Sequence, residues 1–452
     1  MRQWHNMTKR KYFGTDGVRG LANAFPMTPD IALKLGAAAG RHFRKDQKQH
    51  RVVIGKDTRR SSYMFENALT AGFTSTGMDV YLLGPVPTPA VGVLTRSMRA
   101  DVGVMISASH NSYLDNGIKF FGPEGFKLSD KVELEIEKLL DDEIEYAASQ
   151  NIGMAKRIDD ALGRYMEFAK SAFPRKKLLN GLKVVVDCAN GAAYKAAPIV
   201  LWELGAEVIS IGVNPDGYNI NKDCGSTHPQ NAAKAVLEHN ADVGICLDGD
   251  ADRLILIDNK GNIADGDQLM GLIASQWSSK GKLANNTLVA TVMSNMGLER
   301  YLNTLDIKLL RTNVGDRYVV EAMRKFGYNL GGEQSGHIVM TDYATTGDGL
   351  MAALQFLNAL VESKCTSSEL IKVFEPMPQL LRNVRLNNSE SLDNLKVKES
   401  IKAGENAFGD IGRILIRKSG TEPLLRVMGE CEDPKLLKAV IGNIVETVDA
   451  IN

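Results

Sequence analysis

Three carboxylates at alternate positions, Asp248, Asp250 and Asp252, occupy the loop Asp248-Gly-Asp-Ala-Asp-Arg253 after the strand-like run Asp242–Leu247. So close together they repel one another unless a cation neutralises them. Hard oxygen donors suit Mg²⁺, which keeps positions open for phosphate or water. An EF-hand is excluded, because its sixth position should be Gly and is Arg253, and its twelfth should be Glu and is Asn259. A D-x-D phosphatase with an aspartyl nucleophile is the more serious rival, although such loops usually carry Thr or Val where Asp252 stands. A solvated acidic turn is the purely structural alternative.

Ser107-Ala-Ser-His-Asn111 follows another such run, Asp101–Ile106. Serine beside histidine in sequence is not a hydrolase triad, whose members meet in space rather than along the chain. Ser109 could instead accept and return a phosphoryl group, and as a phosphoserine it would offer the metal a further oxygen. A serine-rich helix cap explains the loop equally well by itself.

Other loops suit anions and hydroxyls. Gly14-Thr-Asp-Gly-Val-Arg-Gly20 combines freed backbone N–H groups with Arg19, a weak phosphate signal. Arg417-Lys-Ser-Gly-Thr-Glu-Pro423, with Arg426 close behind, is a better anion cradle or else an exposed basic turn. Glu333, Ser335 and His337 in Gly331-Gly-Glu-Gln-Ser-Gly-His337 offer donors and acceptors to a polyhydroxylated ligand, and Asn313–Arg317 could join them. Lys119 lies in an expected strand, Ile118–Phe121, as a surface lysine or, if aimed inward, a proton carrier.

The elements that must position these loops recur three times. Strand, helix and strand are expected at Val52–Gly55, Ala68–Ser75 and Val80–Leu83; at Lys183–Val186, Ala196–Leu204 and Val208–Ile211; and at Leu288–Val292, Leu298–Leu305 and Ile307–Leu310. This spacing reads as a βαβ crossover. Each unit adds a further strand that delivers one polar loop, the third being Tyr328–Leu330. Ligands bind outside the carboxyl ends of strands in open α/β sheets, so three unlike loops point to one shared cleft. An acidic helix, Lys131–Tyr146, and a polar bridge, Ser149–Asp159, close the first unit. The expected fold is α/β: three related α/β domains with mixed sheets plus a smaller C-terminal α+β domain around a central cleft. Their expected spans are 1–156, 157–260, 261–375 and 376–452.

Composition agrees with a soluble, multi-domain enzyme. The chain has 452 residues, enough for three or four domains of ~150 residues. Its 54 Lys+Arg balance 54 Asp+Glu, so no global field draws it to nucleic acid or an anionic membrane. Five dispersed cysteines without a C-x-x-C pair fit reduced thiols, and no apolar run reaches a membrane span of ~18 residues. The expected location is the cytoplasm.

From about Lys11 to the end, the loops and their order resemble the α-D-phosphohexomutase superfamily. That resemblance implies a phosphorylated Ser109, which with Asp248, Asp250 and Asp252 would hold Mg²⁺. It implies proton transfer assisted by His110 or Lys119, Arg19 near the reacting serine, and Arg253 completing the metal loop toward substrate. Glu333 and Ser335 would hold sugar hydroxyls, and Arg417, Ser419, Gly420, Thr421 and Arg426 the non-transferring phosphate.

Gln334 and the phosphate loop favour the amino-sugar branch. The implied reaction converts glucosamine 6-phosphate to glucosamine 1-phosphate through a hexose 1,6-bisphosphate, supplying UDP-N-acetylglucosamine synthesis. A glucose or mannose phosphate mutase is the alternative, and a Mg²⁺-dependent sugar phosphatase a more distant one. The resemblance also implies a homodimer through the first domain, with a sugar phosphate as the small-molecule partner. One departure stands out: Ser112 occupies a place where the superfamily usually has Pro, so the loop lacks a fixed φ.

Overall fold

Each of the three repeated units builds its sheet around the same four-strand core, to which the first and second add edge strands. The computed structural model describes residues 10–451 apart from 15, 47, 386–393 and 419–423. The first sheet contains β1 (Val18–Leu21), β2 (His50–Lys56), β3 (Met78–Pro85), β4 (Val102–Ile106), β5 (Asp115–Phe121) and β6 (Ala155–Arg157), in the order β1-β5-β4-β2-β3-β6. The second contains β7 (Lys183–Asp187), β8 (Glu207–Ile211), β9 (Val243–Leu247), β10 (Leu254–Asp258) and β11 (Ile263–Ala264), in the order β11-β10-β9-β7-β8. The third contains β12 (Thr287–Thr291), β13 (Lys308–Thr312), β14 (Leu330–Gly332) and β15 (Ile338–Met340), in the order β13-β12-β14-β15.

In every unit a central strand, β2, β7 or β12, has parallel neighbours on both sides. Parallel pairing requires long crossovers, which the helices supply. Covered on both faces, β4 and β9 are buried throughout and read as apolar runs rather than alternating ones. The last parallel strand of each unit then pairs with an antiparallel return strand: β4 with β5, β9 with β10, β14 with β15. Each polar loop is therefore a hairpin connection pinned at both ends.

Two expectations are corrected. The acidic helix spans Asp130–Leu140, capped by Ser129, and stops well short of Tyr146. Beyond Leu140 the sequence Asp-Asp-Glu-Ile-Glu would set negative charge against the negative end of the helix dipole. The polar bridge also contributes β6, an exposed edge strand parallel to β3, whose Lys156 and Arg157 give no apolar signal.

The tail forms an antiparallel sheet, β16 (Gln379–Arg385), β17 (Gly412–Lys418) and β18 (Leu424–Cys431), in the order β16-β18-β17. Its final helix, Pro434–Asp449, begins as its sequence demands, with Asp433 accepting from the N–H groups of Lys435 and Leu436. One continuous apolar core runs through the first three units, whereas the tail has its own around Val427, Phe408 and Ile441. Polar contacts dock the tail on the third unit: Arg413 donates to Ser294 O at 2.6 Å, and Met296 N to Glu430 at 3.1 Å. Among the described residues no helix is long and apolar enough to cross a membrane.

Candidate active site

The β4–β5 hairpin turns sharply after Ala108, and Ser109 sits there in the left-handed region at φ 51°. Its hydroxyl, buried, donates to Asp248 Oδ2 at 2.6 Å and lies 3.3 Å from His110 Nδ1. Arg19, on β1 beside β5, donates to the carbonyl of Ala108. Burial, with the charges of Arg253 and Arg19 adding to it, pulls the His110 pKa down to about 4, so the imidazole is neutral near pH 7.

The β9–β10 hairpin gathers Asp248, Asp250 and Asp252, all buried, with carboxylate oxygens within 4.8 Å of one another. Asp250 Oδ2 accepts from Thr88 Oγ1 at 2.7 Å and Lys119 Nζ at 2.9 Å, while its Oδ1 is buried without a hydrogen-bond partner among the described residues. Asp252 Oδ1 is likewise without one, 3.5 Å from His337 Nδ1. Burial and the charges of Asp252 and Asp250 push the Asp248 pKa well above the usual carboxylate range. Orphaned, all-oxygen and mutually repelling, this donor set fits a hard divalent cation such as Mg²⁺.

Lys119 is aimed inward from β5. Burial disfavours its charge, but Asp16, Asp250 and Asp252 outweigh that and hold its pKa well above normal. It lines the same cavity as the serine, as a cation. Lys127 bridges Asp16 and Asp316 at 2.6 Å each, and Asp316 Oδ2 in turn lies 3.4 Å from His337 Nε2. Neither Thr88 nor Lys127 belongs to a sequence motif; their roles exist only once the units dock.

The β14–β15 hairpin meets the metal loop through a bridge between Arg253 and His337. Glu333 accepts from Gly315 N at 3.1 Å, while Ser335 is exposed with its hydroxyl 3.5 Å from Glu333. Arg417 and Arg426 pair in register on β17 and β18. Ser419, Gly420 and Thr421 lie outside the described residues. A cavity of about 280 Å³ is lined by Arg19, Ser109 and Lys119 from the first unit, Asp252 and Arg253 from the second, Glu333 and His337 from the third, and Arg417 and Arg426 from the tail. The tail therefore supplies two guanidiniums to the cavity that the buried serine lines.

Three related α/β units and a tail around such a cavity define a class, and comparison with known families agrees. The chain belongs to the phosphoglucomutase/phosphomannomutase family: alpha/beta/alpha domain I matches residues 10–147, domain II 163–261, domain III 265–377 and the C-terminal domain 381–447. It is 66% identical over 443 residues to a phosphoglucosamine mutase of Dinoroseobacter shibae, covering 98% of this chain and 99% of that protein. Its fold matches a phosphoglucomutase/phosphomannomutase family protein of Burkholderia thailandensis, with a TM-score of 0.82, 24% identity and 98% of both chains covered. It also matches Aspergillus fumigatus N-acetylphosphoglucosamine mutase in complex with GlcNAc-6P and magnesium, with a TM-score of 0.65, 17% identity and 96% of both chains covered.

Proposed function

We propose that the chain interconverts glucosamine 6-phosphate and glucosamine 1-phosphate, with Ser109 as the phosphoryl carrier. The carrying observation is the cavity in which all four domains meet, lined by a buried serine and by two guanidiniums from the tail. A phosphatase needs no second phosphate grip; a mutase does, because either end of the sugar must be held while the other reacts.

The phosphoryl group passes from Ser109 Oγ to the free sugar hydroxyl: the P–Oγ bond breaks, a new P–O bond forms, the hydroxyl loses its proton and Oγ gains one. The resulting 1,6-bisphosphate turns over and returns its other phosphoryl group to Ser109. His110, neutral and 3.3 Å from Oγ, accepts the proton that the sugar hydroxyl loses and returns one to the departing Oγ. Lys119 and Arg19 face the transferring group as fixed positive charges, which act strongly in a buried site. Asp248, Asp250 and Asp252, with an oxygen of phospho-Ser109, would hold Mg²⁺, whose charge offsets that of the phosphoryl oxygens. Glu333 receives sugar hydroxyls, while Arg417 and Arg426, with the loop that follows β17, grip the non-reacting phosphate. The 66% identity to a phosphoglucosamine mutase supports the amino-sugar choice, and the reaction would feed UDP-N-acetylglucosamine synthesis.

The test compares kcat/KM for glucosamine 6-phosphate, glucose 1-phosphate and mannose 1-phosphate, with Mg²⁺ and a hexose bisphosphate primer, while free phosphate is followed. Preference for the amino sugar without phosphate release is expected. Preference for glucose or mannose would reassign the substrate, and stoichiometric phosphate release would make the enzyme a phosphatase.

A further inference from the structure

Outside the lining of the cavity, two buried side chains converge on the backbone of the Ser109 loop. Arg59 is fully buried and ion-paired with the equally buried Asp57, whose Oδ1 also accepts from Arg59 N and Ser62 Oγ at 2.9 Å each. Held this way, the guanidinium presents its far edge to the serine loop. Nη2 donates to the carbonyls of Ser109 at 3.1 Å and Asn111 at 2.6 Å, and Nε to that of Ser112 at 3.4 Å. From domain II, Asn221 Nδ2 donates to the same two carbonyls, Ser109 at 2.8 Å and Asn111 at 2.9 Å. Glycine in the metal loop permits this approach. A Cβ at Gly249 would stand 2.7 Å from Ser109 O and 2.8 Å from Asn221 Nδ2.

The serine needs such a hold. Its φ of 51° is a left-handed conformation uncommon for a residue with a side chain, and strained for serine unless its surroundings favour it. In that conformation its hydroxyl reaches Asp248 across the domain boundary. Relaxation of the loop would turn the two carbonyls and swing Oγ off the carboxylate.

We propose that Arg59 and Asn221 are positioning residues of the phosphoryl transfer, a two-sided carbonyl clamp that holds Ser109 in its left-handed backbone and its oxygen on the metal loop. The inference rests on Ser109 being the phosphoryl carrier. Neither residue lines the cavity, so both act through the serine backbone and not on the sugar. Because one jaw comes from domain I and the other from domain II, docking of the two domains and setting of the serine are a single event. Arg59 also reaches the carbonyl of Ser112, one residue past Asn111, at 3.4 Å.

Asn221→Asp is the sharper test, since it keeps size and tolerance of a left-handed backbone but replaces the donor with an acceptor facing two carbonyls. In the full-length enzyme with Mg²⁺, glucosamine 6-phosphate and bisphosphate primer, kcat is expected to fall roughly 10- to 100-fold, with KM changed less than about threefold. Arg59→Lys, which keeps a charge for Asp57 but loses the fork, is expected to show the same split. Wild-type kcat in Asn221→Asp, or a loss confined to KM, overturns the clamp. So does a kcat loss that vanishes when both proteins are assayed well below their melting temperatures. Ser109→Ala in the same assay separates the two readings. Turnover in that variant overturns the carrier and the clamp with it, whereas an inactive Ser109→Ala beside a fully active Asn221→Asp overturns the clamp alone.

Discussion

Ser109 Oγ and Asp248 Oδ2 are 2.6 Å apart, although 139 residues and a domain boundary separate them along the chain. The nucleophile therefore acquires its carboxyl partner only when domains I and II dock. Removing the hydroxyl should leave that docking intact, because the loop is held by its carbonyls. Ser109→Ala is expected to bind glucosamine 6-phosphate within a few-fold of wild type yet lose roughly 10³-fold or more in turnover. Isothermal titration and a coupled mutase assay read the two quantities separately. Turnover near the wild-type rate would remove Ser109 from the mechanism.

Carboxylate repulsion in the metal loop makes a second prediction. With Asp250 Oδ1 and Asp252 Oδ1 buried and without a hydrogen-bond partner among the described residues, the folded enzyme should gain stability from Mg²⁺ as well as activity. A cation at 100 times its Kd adds about 2.7 kcal/mol to the state that binds it. Chelation is expected to abolish turnover and lower the melting temperature. In Asp250→Asn/Asp252→Asn the melting temperature should no longer respond to Mg²⁺. A double variant that still shows the full Mg²⁺-dependent shift would place the cation elsewhere.

The loops that carry these groups were legible because each is a run of unlike polar residues directly after a buried strand. Asp248, Asp250, Asp252 and Ser109 announce themselves by type and spacing. The threefold repeat was legible for the same reason, since β4 and β9 are apolar on both faces. Other features were not. The third-unit strand expected at Tyr328–Leu330 lies slightly later, at Leu330–Gly332, and its three-residue partner β15 is too short for a periodic signal. Thr88, Lys127, Arg59 and Asn221 stand in ordinary sequence, and their importance comes from partners more than 100 residues away or from a buried charge pair. Lys119 could be read as a surface lysine because only docking surrounds it with Asp16, Asp250 and Asp252.

The seam between the tail and domain III offers a third prediction. Glu430 is fully buried and accepts from Arg413 Nε at 2.5 Å, Gln379 Nε2 at 2.8 Å and Met296 N at 3.1 Å. Arg413→Ala leaves this carboxylate buried without its cation, a loss of about 3–5 kcal/mol. The strands affected, β17 and β18, also bear Arg417 and Arg426. The variant should therefore show an early melting step for the tail and roughly a tenfold or larger rise in KM for the sugar phosphate. An unchanged KM together with the early melting step would mean that the phosphate grip does not depend on this seam.

A fourth prediction concerns pH and the contact between domains II and III. Asp348 caps the helix Gly349–Ser363 and accepts from the buried Tyr165 hydroxyl at 3.0 Å. Burial lifts its pKa to about 6, against the opposing pull of Met351 N–H and Tyr165. A carboxyl whose folded pKa is raised binds its proton more tightly in the folded state, so the sign is the reverse of the usual acid effect. Its contribution to stability is greatest below the unfolded value near 3.8, declines as pH rises toward 6, and is gone above that. Asp348→Asn keeps the cap and the acceptor for Tyr165 but has no proton to lose. Between pH 5 and 7 the wild type should therefore lose roughly 1 kcal/mol relative to the variant, an order-of-magnitude figure from the linkage relation. Denaturant midpoints of both proteins at the two pH values measure the difference. If the two proteins change in parallel with pH, Asp348 is ionised throughout and the Tyr165 hydroxyl donates to a carboxylate rather than to a carboxylic acid.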